Sequence, residues 1–335
     1  MQRIVISRTD KIGDLVLSIA SFYRLRQMYP NAEITVLVRH YNADMVRNLP
    51  YINQVLCIDD FSEKELILHI QKLQVDAFVA LYSDAVIMRL ARASGAKIRI
   101  GNYSKWQSFF TYNKGLRQKR SESIKNECDY NLDLVRLLDA NRFDACKEVA
   151  HKVYLQAEHI SEAEHFLAEK KIEKPFILIH PFTGGSSKNI TDAQYFLLLD
   201  ELRAELKLPI VVSTSHAELD RAEVIVKSLG EGVFLYENAR SILFLGGLMA
   251  LARVFTAPAT GTLHLAAALG ARVVGLYPKK PSMSPTRWGV KGAEKALYII
   301  PDEVPNAQEN YKHKNFDSYD FQTQKAWVEA IKSLL

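Results

Sequence analysis

The chain has 335 residues, 48% hydrophobic and 24% charged, which suits two globular domains and excludes a disordered chain. No apolar run reaches the ~18 residues of a membrane helix, and the net charge of +5 is too mild to name a partner by itself. Three cysteines, Cys57, Cys128 and Cys146, form no CxxC pair, and so sparse and odd a set fits a reducing cytosol rather than a disulfide framework.

The N-terminus runs straight into "RIVIS", with no apolar signal region before it, so a cytoplasmic protein is expected. In the first half the β-type runs fall near 3–7, 34–38, 55–58, 76–81 and 97–100. Helical patterns fall near 14–28, 63–73, 84–94 and 127–139. The stretch "GDLVLSIASFYRLRQMYP" has a helix-period apolar face, and Pro30 ends it. Strand, helix, strand repeated in this way predicts a parallel sheet covered on both faces.

Charge is uneven along the chain. Between Lys97 and Lys125 there are eight Lys or Arg against one acid, Glu122, with Tyr103, Trp106, Phe109, Phe110 and Tyr112 among them. Such a basic, aromatic stretch suits nucleic acid, an anionic membrane surface or a phosphorylated glycolipid, or is simply a solvated loop.

The second half repeats the theme. Strands are expected at 176–180, 209–213, 233–236, 253–257 and 272–277, and helices at about 192–206, 217–229, 241–251 and 262–269. A polar stretch, 151–174, with a connecting helix in "YLQAEHISEAEHFLAEKK", separates the halves. The expected architecture is α/β: two doubly wound Rossmann-like domains, 1–160 and 161–335, facing each other across a cleft. The last helix, "FQTQKAWVEAIKSLL", is free to pack back on the N-terminal domain.

Ligands of such sheets bind beyond the carboxyl ends of the strands, and three segments begin there. Asp14 follows the first strand and is either a helix cap or a catalytic base. In "HPFTGGSSKN", Thr183, Gly184, Gly185, Ser186 and Ser187 offer backbone N–H groups and hydroxyls, and Lys188 adds charge, the composition of a phosphate cradle. In "APATGTLHLAAALG", Thr260 and Thr262 sit at a helix start, Gly261 permits close approach, and His264 lies in the first turn. Two phosphate-type sites on one domain point to a nucleotide diphosphate. Glu218, just past "PIVVS", either binds ribose or sugar hydroxyls or complements a helix dipole. There is no Walker A loop, GxGxxG, GxSxG, DxD or metal-ligand cluster.

These segments together resemble the bacterial lipopolysaccharide heptosyltransferases, glycosyltransferase family 9. The residues that carry the resemblance are "RTDKIGDLVLSIASFYRLRQMYP", "HPFTGGSSKN", "AELDRAE" and "TGTLHLAAALGARVVGLYP…SPTRW", in family order over nearly the whole chain. The resemblance implies a GT-B architecture and inverting, metal-independent transfer of a heptose from ADP-heptose to a Kdo- or heptose-bearing inner-core acceptor, with no cofactor. It implies that Asp14 is the general base, that Lys188 contacts the phosphates, and that Thr260, Gly261 and His264 form the second phosphate-side helix start, with Glu218 on the nucleotide side. It implies as partners an ADP-sugar and an anionic glycolipid (Kdo-lipid A or core oligosaccharide), with peripheral contact at the inner face of the inner membrane and no nucleic acid. Arg8, Lys11, Arg117, Lys119 and Arg120 are assigned to that acceptor. Two positions depart from the family: Ala259 stands where many members have Asp, and Ile190 where Trp is usual. The departures leave open another nucleotide-sugar donor, a GT-B-like nucleotide-sugar epimerase, or a degenerate binding protein.

Overall fold

Ile4, Val5 and Ile6 are buried in the first strand, an unbroken apolar run of the kind a parallel sheet covered on both faces demands. The computed structural model describes residues 1–185, 187–302 and 313–335. The chain divides into two units, Met1–Val153 and Tyr154–Leu335.

The N-terminal unit holds β1 (Arg3–Ser7), β2 (Glu33–Val38), β3 (Gln54–Cys57), β4 (Ala77–Ala80), β5 (Ile98–Asn102) and β6 (Lys114–Leu116), all parallel, in the order β3-β2-β1-β4-β5-β6. The C-terminal unit holds β7 (Ile177–Ile179), β8 (Ile210–Ser215), β9 (Val233–Asn238), β10 (Val254–Pro258), β11 (Arg272–Leu276) and β12 (Lys295–Ile299), again all parallel, in the order β12-β11-β10-β7-β8-β9. Both are the doubly wound 3-2-1-4-5-6 order, whose direction reverses between the first and fourth strands. The reversal falls between β1 and β4 in one unit and between β7 and β10 in the other. Ligand crevices are therefore expected after Ser7 and Ala80, and after Ile179 and Pro258.

Several elements differ from the sequence expectation. The helix expected over 14–28 is two, Ile12–Val16 and Ile19–Met28, because Ser18 turns its hydroxyl back onto the Asp14 carbonyl (2.8 Å) and Leu17–Ser18 interrupts the ladder. The edge strands β6 and β12 were not expected, since three residues with a central Gly, or a half-buried run, give little apolar signal. The helix His40–Arg47 was missed for the same reason.

The unit boundary also lies earlier than residue 160. The helix Ala157–Glu169 is not a connector but part of the C-terminal unit, packed on the helix Ile242–Leu251 so closely that a Cβ at Gly247 would collide with the His159 carbonyl. The last helix, Phe321–Lys332, packs on the C-terminal unit rather than on the N-terminal domain. Trp327 is fully buried there, its Nε1 donating to Thr256 Oγ1 at 2.7 Å, and Lys332 reaches Glu205 at 2.8 Å. Among the described residues no helix is long and apolar enough to cross a membrane.

Candidate active site

Arg8 leaves the end of β1 and turns inward, only 1% exposed. Its guanidinium is the centre of the N-terminal site. Nε donates to Asp10 Oδ1 at 2.7 Å and Nη2 to Asp14 Oδ1. Nη1 donates to Glu127 Oε1 at 3.0 Å, to Asn131 Oδ1 at 2.9 Å and to the Leu81 carbonyl beyond β4 at 3.4 Å. Asn131 in turn donates to Ser18 Oγ (3.1 Å), which donates to the Asp14 carbonyl, so Asp14 is fixed from both its side chain and its backbone.

Asp14 is not a helix cap. Lys11 occupies the N-cap position of Ile12–Val16, and Asp14 lies in the first turn. Its side chain is 15% exposed, one oxygen is held by Arg8, and no described residue donates to Oδ2. A carboxylate so placed has one oxygen oriented and one available to a substrate hydroxyl.

Charge counting explains the next feature. Arg8 and Arg120 face Asp10, Asp14 and Glu127, two cations against three carboxylates. The surplus falls on Asp10: burial, and less strongly the neighbouring Asp14 charge, outweigh Arg8 and push its pKa up to about 6. For Arg8 burial alone would lower the pKa, but the three carboxylates more than reverse this and raise it. Because the folded state raises the Asp10 pKa, the stability that its protonated form contributes is complete below about pH 4 and lost as pH rises through 6. Asp10→Asn is therefore expected to stabilise the N-terminal unit at pH 7.5, by up to about 3 kcal/mol, and to confer nothing at pH 4. Urea unfolding at the two pH values checks this.

The five residues assigned to the acceptor separate into two groups. Arg8 is corrected: it is buried, and its guanidinium turns inward onto Asp10, Asp14, Glu127, Asn131 and the Leu81 carbonyl rather than outward to a ligand. Arg120 is partly drawn inward too, donating to Glu127 and Gln118 Oε1 and lying 5.7 Å over the Tyr130 ring. Lys11, Arg117 and Lys119 are exposed, Lys119 beside Glu122 at 2.9 Å. Sequence reasoning missed Asp10, Glu127, Asn131 and the exposed Tyr41, whose hydroxyl donates to the Asp10 carbonyl. The acid pair four apart, Asp10 and Asp14, was a visible signal. Glu127 and Asn131 carried none, being more than a hundred residues away.

In the C-terminal unit the chain leaves β7 at His180, whose Nδ1 lies 3.1 Å from Ser213 Oγ and whose pKa burial lowers to about 4. Gly184 and Gly185 then adopt left-handed backbone, φ 55° and 79°, with open space where a Cβ would stand. Thr183 Oγ1 accepts from the Gly185 N–H at 3.2 Å, and Ser187 is half-buried. Ser186 lies outside the described residues. Thr183, Gly184, Gly185 and Glu218 line one pocket of about 480 Å³ together with Asn189–Asp192, Arg221, Lys314 and Asn315. Glu218 accepts from Ser215 Oγ, and Arg221 pairs with Asp192 at 2.6 Å.

Lys188 does not line that pocket. It is buried, with Nζ donating to the Asn315 carbonyl at 2.7 Å and lying 5.7 Å over the Phe316 ring. It ties the 313–316 segment to the loop, beside the bridge between Asn189 and Asn315. Thr260, Gly261, Thr262 and His264 start the helix Gly261–Ala268 after β10, the neighbour of β7, so the two loops flank the topological switch point. Thr260 and Thr262 share a hydroxyl contact of 2.8 Å. Burial lowers the His264 pKa to about 4, which makes it a neutral imidazole at physiological pH. Among the described residues no group of three or more His, Cys, Asp or Glu is disposed to hold a metal ion.

The model of glycosyltransferase family 9 (heptosyltransferase) matches residues 83–319. The chain belongs to this family. It is a glycosyltransferase, and a Haemophilus influenzae protein provisionally named a glycosyltransferase is 28% identical to it, over 95% of this chain and 94% of the other. Among solved structures, a family 9 glycosyl transferase from Veillonella parvula aligns with a TM-score of 0.81 at 14% identity, over 99% of this chain and 97% of that one. ADP-heptose LPS heptosyltransferase II of Escherichia coli aligns with 0.78 at 16%, over 100% and 98%. The E. coli heptosyltransferase WaaC with ADP aligns with 0.72 at 16%, over the whole of both chains. At such identities these structures establish the family's two-domain GT-B fold for this chain.

Proposed function

We propose that this family 9 glycosyltransferase moves a heptose from ADP-heptose to an inner-core acceptor sugar of lipopolysaccharide, with inversion and without a metal ion. The observation that carries the reading is Asp14, a partly exposed carboxylate at the switch point of the N-terminal sheet, with Oδ1 held by Arg8 and no donor to Oδ2 among the described residues. An acceptor hydroxyl attacks the anomeric carbon, the bond from that carbon to the diphosphate oxygen breaks, and the hydroxyl proton passes to Asp14. The leaving diphosphate takes the bonding pair. The backbone N–H of Gly184 and the helix start at Thr260–Thr262 stabilise its charge. Glu218, which lines the pocket, suits ribose hydroxyls.

Thermal unfolding with ADP, UDP, GDP and CMP, each with and without EDTA, tests the donor. ADP at 100 times its Kd should add about 2.7 kcal/mol of stability, unchanged by EDTA. Preference for UDP or GDP would overturn the ADP assignment, and Ala259, which offers no side-chain acceptor to a donor sugar, would be the first position to re-examine. The role of Lys188 is separable in the same assay. Lys188→Met is expected to cut the ADP-induced shift by more than half, because it releases the segment whose Lys314 and Asn315 line the pocket. An undiminished shift would show that the pocket does not depend on that strut.

A further inference from the structure

We propose that the crossover between β5 and β6 is a membrane-docking wedge, seating the enzyme on an anionic lipid surface. The proposal adds a partner surface to the function above and rests on that reading only for its purpose, since its observations are independent of the donor and of the reaction.

Residues 103–113 join two parallel strands in an unusually short span, with one turn of helix at Ser108–Thr111. The inner side of the segment is firmly anchored. Tyr112 is buried, its hydroxyl 2.6 Å from Ser83 Oγ, and its ring fills the space where a Cβ at Gly101 would stand. Arg99 Nε donates to the Thr111 carbonyl at 2.8 Å, and Tyr103 stacks on Phe109 at 4.6 Å between ring centres. The outer side carries Trp106, Phe109 and Phe110, 70%, 59% and 72% exposed, with Trp106 and Phe110 in edge contact at 6.0 Å.

Three large rings held on a braced turn and turned to solvent form an apolar patch that a freely soluble surface avoids. Their surroundings select the partner. Lys97, Lys105, Arg117 and Lys119 are exposed around the patch, Lys119 beside Glu122, whereas Arg120 and Lys125 are drawn to Glu127 and Asp133. Aromatic rings that enter the headgroup boundary, rimmed by lysines and arginines that attract anionic lipid, are the composition of an interfacial anchor. Position agrees with purpose. Lys105 Nζ and Tyr112 both reach Ser83, two residues beyond Leu81, whose carbonyl accepts from Arg8. The wedge thus lies on the carboxyl edge of the same sheet that carries Asp14, where a lipid-borne sugar has to arrive.

The test is flotation of the full chain with vesicles of phosphatidylglycerol and phosphatidylethanolamine, without donor or acceptor, against vesicles of phosphatidylcholine. Binding to the anionic vesicles is expected, weakened by salt. The double variant Trp106→Ser, Phe110→Ser should lower it roughly tenfold or more, and Lys105→Glu should lower it less. Trp327 is buried and Trp288 half-buried, so Trp106 is the reporter: brominated lipid should quench the wild-type fluorescence and not that of Trp106→Phe. The double variant should keep wild-type transfer to a water-soluble, delipidated acceptor. Undiminished flotation of the double variant, flotation indifferent to lipid charge, or binding of a single-stranded oligonucleotide in place of vesicles would overturn the wedge. A loss of transfer to the soluble acceptor would instead place these rings in sugar binding. None of these results touches the donor assignment, which the nucleotide assay reads by itself.

Discussion

Replacing Asp14 by alanine is expected to slow glycosyl transfer by about 10²–10⁴-fold while leaving the ADP-induced stabilisation intact. The split follows from where the residue sits. Asp14 is on the N-terminal unit, and the residues proposed for the nucleotide are all on the C-terminal unit. A base acts on the acceptor proton as the new bond forms, so its removal is felt in kcat and not in donor affinity. Asp14→Asn is the sharper variant. Its amide oxygen still accepts from Arg8, so the local packing survives, while the second oxygen that would take the proton becomes an NH2. Near-normal rates in Asp14→Asn would remove Asp14 from the base role. If Asp10→Asn abolished transfer in its place, the role would pass to the other carboxylate on the same guanidinium.

The parallel strands were legible because a strand covered on both faces reads as a short apolar run between turn residues, as "RIVIS" and "PIVVS" do. The positions of Thr183–Gly185 and Thr260–His264 just beyond strands were legible, because each follows a short apolar run. What each charged side chain faces was not legible. Arg8 stands in a polar stretch, and the default reading of an arginine there is a solvent-facing cation. It is internal because Glu127 and Asn131, from a helix 119 and 123 residues onward, close over it. Lys188 has the right chemistry for phosphate, but its partner, the Asn315 carbonyl, lies 127 residues away. Periodicity reports on neighbours along one element. It carries nothing about pairings made by the fold.

That same pairing sets the second large effect. Arg8→Met is expected to destabilise the N-terminal unit by about 3–5 kcal/mol at pH 7.5. The loss is not that of a surface ion pair, since Arg8 and Glu127 side chains are 2% and 1% exposed and Asp10 and Asp14 only 16% and 15%. Methionine fills much of the volume but strips Asp10 and Asp14 of their guanidinium partner and leaves Glu127 with Arg120. Arg8→Lys should recover only part of the stability, because one ammonium cannot serve the Asp10 and Asp14 edge and the Glu127 and Asn131 edge together. The pH dependence separates this account from simple mispacking. Without the guanidinium Asp10 loses the charge and hydrogen bond that oppose its burial, its pKa rises further, and the folded state takes up a proton there more readily than in the wild type. The defect of Arg8→Met should therefore shrink as pH falls from 7.5 to 5, whereas a packing defect would stay constant. Urea unfolding at both pH values decides it, and a variant within 1 kcal/mol of wild type at pH 7.5 would contradict the cluster's role. Transfer in Arg8→Lys should also fall below wild type under conditions where the variant is fully folded, because Asp14 Oδ1 loses the donor that aims Oδ2 at the acceptor.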